Sequence, residues 1–345
     1  MATIPKTQEQ YRLVRSATQG PFKLERVEAP VRQPGPDEVL VKVHAASLNR
    51  RDVFVMKGQY PIGPRESLVP LSDGAGEVVA VGPGVTRLRV GDRVAAIFFQ
   101  SWLGGRPSPQ FLDSALGGQL DGMLSQYVTL NQQGLVKLPS NLTYEEGATL
   151  PCAGVTAWNG LFTRGRLQRG DTVLLEGTGG VSSFGLVFAR ADGAKVIITS
   201  SSDAKLEEAR KLGAFGTINY KKVPDWEKPV RELTAGLGVQ EVLDVGGKDT
   251  LPHAVASLGF GGHIALIGGL GGFGGDVPVM ALMMTNATVS GIYVGSRADF
   301  EAMNAFIEKH DVKPIVSRVI PFKDAKAAYD LMESDAFFGK IVIKM

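Results

Sequence analysis

The sequence predicts an α/β chain, a doubly wound parallel sheet accompanied by a second, β-rich domain. Three observations carry this. Thr172–Glu176 is a short β-branched and leucine run that ends in a glycine-rich turn, Gly177-Thr-Gly-Gly-Val-Ser182. From about residue 141 strand and helix patterns alternate, the mark of a parallel sheet with crossover helices. Before that point short strands follow one another between Gly and Pro turns, which argues for a compact antiparallel domain.

In chain order, Glu38–Ala45 alternates apolar and polar residues, as a half-buried strand does. Glu77-Val-Val-Ala-Val81 is a strand running into the turn Gly82-Pro-Gly84, and Gly91–Ile97 is a turn with a third strand. Phe98–Gly122 has no clear period and reads as an extended loop, and Met123–Leu130 resumes as a strand. After the glycine turn, Phe184–Ala191 reads as a helix and Lys195–Thr199 as a second strand. Asp203 or Ser202 can cap a helix over Ala204–Leu212, which Gly213 closes. Further strands are predicted at Thr217–Asn219, Gln240–Val245, His263–Ile267 and Ala287–Val294, with helices within Pro224–Ala235 and Thr250–Leu258. The tail holds a helix, Lys323–Met332, and an alternating strand, Gly339–Lys344, that suits the first domain. The predicted domains are therefore residues 1–140 with 306–345, and residues 141–305. There are no internal repeats.

The turn itself suggests chemistry. Glycines let a backbone approach a phosphate, and the N–H groups that open the following helix then face the anion. Gly177, Thr178, Gly179, Gly180 and Val181 are the candidate contacts, although Ser182 stands where the strict G-x-G-x-x-G pattern has its third glycine. A ribose-reading residue is expected about twenty positions after the first glycine, and here it is Ser200. An acidic residue there would repel a 2′-phosphate. Serine does not, and Lys205 adds a nearby positive charge, so NADP is favoured over NAD. The alternative for Lys205 is a solvated helix face.

Composition narrows the classes. A net charge of +2 makes no case for nucleic acid or an anionic membrane as partner. One cysteine, Cys152, excludes an intrachain disulfide and a multi-cysteine metal site. The N-terminal residues lack the apolar core of a signal peptide, and no apolar run is long enough to span a bilayer. A cytoplasmic protein is the expectation.

With these motifs in place, the chain resembles the medium-chain dehydrogenase/reductase superfamily along nearly its whole length. Pro36-Asp-Glu-Val-Leu-Val-Lys-Val43, Gly74-Ala-Gly-Glu-Val-Val-Ala-Val-Gly82 and Gly91-Asp-Arg-Val94 resemble its GroES-like half. Ala148-Thr-Leu-Pro-Cys-Ala-Gly-Val-Thr-Ala-Trp158 resembles the family's join, and the nucleotide half is then of Rossmann type. The resemblance places Asn49, Ser72 and Cys152 where zinc-dependent members carry a Cys, a His and a second Cys. One thiol with two neutral oxygens is a poor tetrahedral zinc site, and the four-cysteine structural lobe is missing, so no zinc is expected. The four histidines read as satisfied or solvated imidazoles. The branch that fits is the quinone oxidoreductase-like one, which implies Ser200, Lys205 and Tyr220 around the 2′-phosphate. It also implies Asn49, Thr156, Gly246 and the backbone at Ile292 and Val294 along the nicotinamide half, and a homodimer formed through the edge strand Ala287–Val294.

A zinc-free hydride transfer is easier to a quinone or α,β-unsaturated carbonyl than to a simple ketone, because the developing charge spreads over a conjugated enolate or phenolate. Asn49 could donate to the acceptor oxygen, and Tyr60 could donate or deliver a proton, its alternative being a packing residue in a turn. Asp52 reads as orienting its neighbours and Cys152 as a small buried hydrophobe. Tyr60, Phe98, Phe99, Trp102 and Trp158 could line a cleft for a flat acceptor or serve as core. The leading expectation is an NADPH-dependent reductase of such small molecules. A zinc-independent alcohol or aldehyde dehydrogenase and an NADPH-binding protein with little turnover are the alternatives.

Overall fold

The computed structural model describes residues 4–15, 21–60 and 67–345. They form two compact units, Met1–Val155 with Gly295–Met345, and Thr156–Val294. Residues 141–155 and 295–305, which the sequence reading assigns to the second domain, belong to the first unit. The backbone N–H of Cys152 donates to Asp73 Oδ2 at 3.2 Å, and Lys344 pairs with Glu145 at 2.7 Å.

The first unit is built on a seven-stranded sheet. Its spatial order is Val316–Pro321, Lys340–Lys344, Glu38–Ser47, Asp73–Val81, Arg93–Ala96 and Leu135–Lys137, with Tyr127–Asn131 also pairing to Glu38–Ser47. The Val316–Pro321/Lys340–Lys344 pair is parallel and the other pairs are antiparallel. Val41, Val43, Val78, Val94, Ile341 and Ile343 supply one continuous apolar core with Tyr329 and Met332 of the helix Ala325–Ser334. The expected strand at the C-terminus is thus found, and it crosses back into the first unit.

A further sheet, Phe22–Pro30, Thr7–Arg15 and Ser67–Leu68, has no counterpart in the sequence reading. The physical reason lies in which residues are buried. Gln8 and Gln10 occupy inward positions of Thr7–Arg15, and Gln8 Oε1 accepts from the Tyr127 N–H at 2.6 Å and from Ser125 Oγ at 2.9 Å. Buried amides satisfied by hydrogen bonds erase the apolar alternation that reveals a strand. The helix Arg297–His310 was also missed. Its signals are a Ser296–Asp299 capping box and an apolar stripe of Phe300, Met303 and Ile307.

The second unit is a six-stranded sheet in the order Gly216–Asn219, Lys195–Ser200, Thr172–Glu176, Val239–Asp244, Leu258–Leu266 and Thr288–Gly291. Every pair in it is parallel, so this is the doubly wound architecture expected, with Thr172–Glu176 central. The edge strand is shorter than the expected Ala287–Val294. The Ile292 N–H still donates to Leu266 O at 2.9 Å, but Val294 has left extended geometry, with φ +59°. An unforeseen helix, Val279–Met284, precedes it.

Close approach of the helix Gly180–Asp192 to the sheet occurs one turn beyond Ser182. A Cβ on Gly185 would meet Leu175 Cδ2 at 2.7 Å and Leu243 Cδ1 at 2.9 Å. Gly185→Val should therefore overpack this seam and cost about 2 kcal/mol. A urea midpoint unchanged from the parent chain would contradict that packing.

At the other end of the same strands Glu241 Oε2 lies 2.8 Å from His263 Nδ1, both buried. Burial pushes the Glu241 carboxyl up to about 7, against the pull of His263. The folded state therefore holds this proton more tightly than the unfolded chain. The stability it contributes is present at low pH and is lost as pH rises through about 7. Glu241→Gln removes the ionisation, so its stability relative to the parent should improve by roughly 3 kcal/mol between about pH 4 and about pH 8. Denaturant titrations at both pH values check this, and a pH-independent difference would rule it out.

Candidate active site

In the first unit Asn49 precedes the helix Arg50–Met56, and its N–H donates to Asp52 Oδ2 at 2.8 Å. Asn49, Arg51, Asp52, Ser72, Asp73 and Lys340 are all buried. Lys340 Nζ donates to Leu48 O at 2.6 Å and to Asn49 Oδ1 at 2.5 Å, and it lies 3.7 Å from Asp73 Oδ2. Ser72 Oγ donates to Asp73 Oδ1 at 2.7 Å. Arg51 Nη1 donates to Leu116 O at 3.0 Å and stands 3.5 Å from Asp52 Oδ1. Its guanidinium lies over the rings of Tyr60, at 5.1 Å, and Phe98, at 4.7 Å.

Two cations and two carboxylates thus share one desolvated cluster. Burial raises Asp52 to about 6, opposed by the charge of Arg51. Burial likewise raises Asp73 against Lys340. Burial, with the neighbouring Asp73 charge, pushes the Cys152 thiol up. A thiol held protonated is an inert one. Leu71, next to Ser72, adopts φ +70°, a conformation uncommon for a bulky side chain and kept only where the surroundings enforce it. The neighbouring backbone enforces it here, because Leu71 O accepts from the Met123 N–H at 2.8 Å.

The aromatic residues divide. Phe98 and Phe99 are buried and pack edge to face, and Trp102 stacks on Phe111, its Nε1 donating to Gly105 O at 3.1 Å. These three serve as the core of the 98–122 loop. Trp158 lies in the second unit against Phe162 and Phe188. Tyr60, half-buried on Arg51, brings a hydroxyl beside the polar cluster, which the Phe98 ring also flanks. The histidines are structural. His44 stacks on Tyr144, His253 pairs with Glu227, His263 with Glu241, and His310 packs on Phe306. Among the described residues no group of three or more His, Cys, Asp or Glu side chains is placed to hold a metal ion.

In the second unit the turn after Thr172–Glu176 has the shape a phosphate requires. Gly177 adopts φ +72°, and no atom lies within 4 Å of the space where a Cβ on Gly177 or Gly179 would sit. The thirteen-residue helix Gly180–Asp192 opens directly behind Gly179. Ser182 replaces the third glycine without disruption, because its Oγ folds back to donate to Glu176 O at 2.6 Å. The three residues expected around a 2′-phosphate sit on adjoining elements. The Tyr220 N–H donates to Ser200 O at 3.2 Å, and the Lys205 N–H donates to the capping oxygen of Ser202 at 3.5 Å. Thr156, Ile292 and Val294 are buried, and Val294 O accepts from Asn159 Nδ2 at 2.7 Å.

Gly246 allows another close approach, since a Cβ there would come within 2.4 Å of Thr250 Oγ1. Its N–H points to Glu176 Oε2 at 3.3 Å, beside Asp244, whose Oδ1 accepts from the Gly247 N–H at 2.7 Å and Thr250 Oγ1 at 2.9 Å. Burial and mutual repulsion raise the Glu176 carboxyl well above its ordinary range. Sequence reading missed this pair, and also Arg51, Asp73 and Lys340. Asp73 follows Ser72 directly, and adjacency to a suspect position was its only signal. Lys340 had none, because a lysine in an alternating strand reads as outward-facing.

A parallel sheet with a glycine turn at the carboxyl end of its central strand defines a dinucleotide-binding fold. Comparison with known proteins agrees. Residues 35–140 match the alcohol dehydrogenase GroES-like domain family, and residues 180–309 match the zinc-binding dehydrogenase family. A zinc-type alcohol dehydrogenase-like protein of Schizosaccharomyces pombe is 46% identical over 94% of this chain and 95% of its own. An alcohol dehydrogenase of Geobacillus stearothermophilus is 31% identical over 94% of this chain and 96% of its own. Among solved structures, an alcohol dehydrogenase candidate from Sinorhizobium meliloti 1021 superimposes with a TM-score of 0.94 at 37% identity, covering 99% of this chain and 100% of that one. A crotonyl-CoA carboxylase/reductase does so with a TM-score of 0.88 at 27% identity, covering 99% and 89%. This chain belongs to the medium-chain dehydrogenase/reductase superfamily and is an oxidoreductase with a GroES-like and a Rossmann-type unit.

Proposed function

We propose that the protein transfers a hydride from NADPH to a quinone or an α,β-unsaturated carbonyl, without zinc. The observation that carries the reading is the donor set at Asn49, Ser72 and Cys152. Asn49 offers a neutral amide oxygen that accepts from Lys340 Nζ, Ser72 a neutral hydroxyl that donates to Asp73, and only Cys152 is of a zinc-ligand type. Three such groups do not make a catalytic zinc site, which needs about three strong donors. The zinc named for the matching family and for the yeast relative therefore does not fit these residues.

The cofactor fits. Gly177, Thr178, Gly179, Gly180 and Val181 would hold the pyrophosphate at the helix N-terminus, where N–H groups are unsatisfied. Ser200, Lys205 and Tyr220 would hold the 2′-phosphate, and Thr156, Gly246, Ile292 and Val294 the nicotinamide half. When bound, NADPH supplies the hydride. Asn49, assigned to both cofactor and acceptor, donates a hydrogen bond to the acceptor oxygen as charge develops there. Tyr60, with the Arg51 guanidinium over its ring, is the candidate proton donor to the enolate or phenolate oxygen. The crotonyl-CoA carboxylase/reductase likeness supports a conjugated acceptor, since crotonyl-CoA is an α,β-unsaturated thioester.

A second reading, reversible alcohol oxidation, draws on the relatives called alcohol dehydrogenases and on a neighbour called NAD-dependent, 33% identical. Relative rates with metal-stripped protein separate the two. Cyclohexenone or benzoquinone should be reduced and cyclohexanone spared, whereas equal rates would favour the second.

A homodimer is part of the proposal. The edge strand Thr288–Gly291 offers an unpaired ladder, and Met280, Met283 and Met284 beside it are about 70% exposed. The setting we assign is cytoplasmic, where a lone thiol stays reduced. No helix among the described residues is long and apolar enough to cross a membrane.

A further inference from the structure

We infer that Lys340 is a positioning residue that fixes Asn49 as a hydrogen-bond donor, and so sets the polarity of the site in place of a metal. This rests on the proposed role of Asn49. The argument begins with what each group can do. An ammonium has three donors and no acceptor, so the Asn49 atom facing Lys340 Nζ at 2.5 Å is Oδ1. Which end of an amide is nitrogen is otherwise ambiguous. Here the chemistry of the partner assigns it. The NH₂ end must point away from Lys340.

That end is left available. Asn49 Nδ2 is buried beside the Asp73 carboxylate, which one of its N–H bonds stabilises, and since an amide carries two N–H donors the second is left for an acceptor. An unsatisfied buried donor carries a desolvation cost, which an acceptor oxygen entering the site would relieve. The Lys340 contact to Asn49 Oδ1 is also charge-assisted, which polarises the amide and makes its N–H a stronger donor.

Lys340 is itself rigidly held. It is 2% exposed, it donates to Leu48 O at 2.6 Å, and Asp73 lies 3.7 Å away. The strand Lys340–Lys344 is registered on Glu38–Ser47, with Val342 opposite Ser47, and the Leu48 N–H donates to Ile341 O at 3.1 Å. The last strand of the chain therefore delivers the cation to the residue that follows Glu38–Ser47. Without Lys340, the amide could turn over and present its oxygen to the acceptor, repelling the charge it should stabilise.

A double-mutant cycle tests this, using NADPH oxidation with cyclohexenone. Lys340→Met should lower kcat by roughly 10²-fold, as expected for a misplaced reacting group, with KM changed much less. Lys340→Arg retains a donor and should recover a substantial part of the loss. In the Asn49→Ala background, Lys340→Met should lower kcat no further. Additive losses would overturn the positioning role, and so would full activity in Lys340→Met. If Asn49→Ala alone kept full activity, the assignment of Asn49 would fail, a different outcome from failure of the Lys340 coupling. Should Lys340→Met fold poorly, the Lys340→Arg arm decides: its kcat loss must likewise vanish when Asn49 is alanine.

Discussion

Replacing Ser200 with aspartate is expected to invert the cofactor preference from NADPH to NADH. Ser200 ends the second strand of the parallel sheet, buried, with Tyr220 bound to its carbonyl and Lys205 on the helix that follows. A carboxylate there would accept from a ribose hydroxyl but face a 2′-phosphate. Like charges brought together at a desolvated site cost several kcal/mol, so the ratio of kcat/KM values should move by on the order of 10²-fold or more. The Ser200 side chain accepts a single hydrogen bond, from the Ser202 N–H at 3.2 Å, which an aspartate oxygen can also accept. A ratio that stays put would mean that Ser200, Lys205 and Tyr220 do not read the phosphate.

Asn49→Ala is expected to lower kcat by about 10²–10³-fold, the usual cost of removing one donor to a developing oxyanion. KM should change little, because the interaction strengthens as charge appears. The helix Arg50–Met56 keeps its main cap, since Asp52 accepts from the backbone N–H of residue 49. Stopped-flow measurement of a single turnover separates this chemical effect from product release. A loss seen only in KM would make Asn49 a binding residue.

What was legible in the chain follows from where side-chain periodicity survives. The second unit is nearly all buried parallel strands between capped helices, so Thr172–Glu176, Lys195–Ser200 and Val239–Asp244 declare themselves as apolar runs. The glycine turn is local chemistry and is legible as such, whereas Ser200, Lys205 and Tyr220 around a 2′-phosphate are what the resemblance implies. Thr7–Arg15 was hidden because glutamines fill its inward positions. The first-unit site was only half legible. Asn49, Tyr60, Asp52 and Cys152 came from resemblance and adjacency. Arg51, Asp73 and Lys340 are partners made by tertiary structure, the lysine arriving from 291 residues away. No local pattern announces a buried lysine, since its only mark is the set of oxygens it meets.

On the zinc-free reading proposed here, the polar cluster occupies the place of the metal. Lys340 and Arg51 supply two positive charges among Asp52 and Asp73, so the carboxylates are already compensated. A divalent ion would have to displace hydrogen bonds that are in place, and Asn49 and Ser72 offer it only neutral oxygens.

The most direct test is the rate of NADPH oxidation by metal-stripped protein, with cyclohexenone and benzoquinone against cyclohexanone, before and after zinc is added back. The account expects turnover with the conjugated acceptors, little with the saturated ketone, a clear preference for NADPH over NADH, and no response to zinc. Activity that appears only when zinc is restored would contradict it.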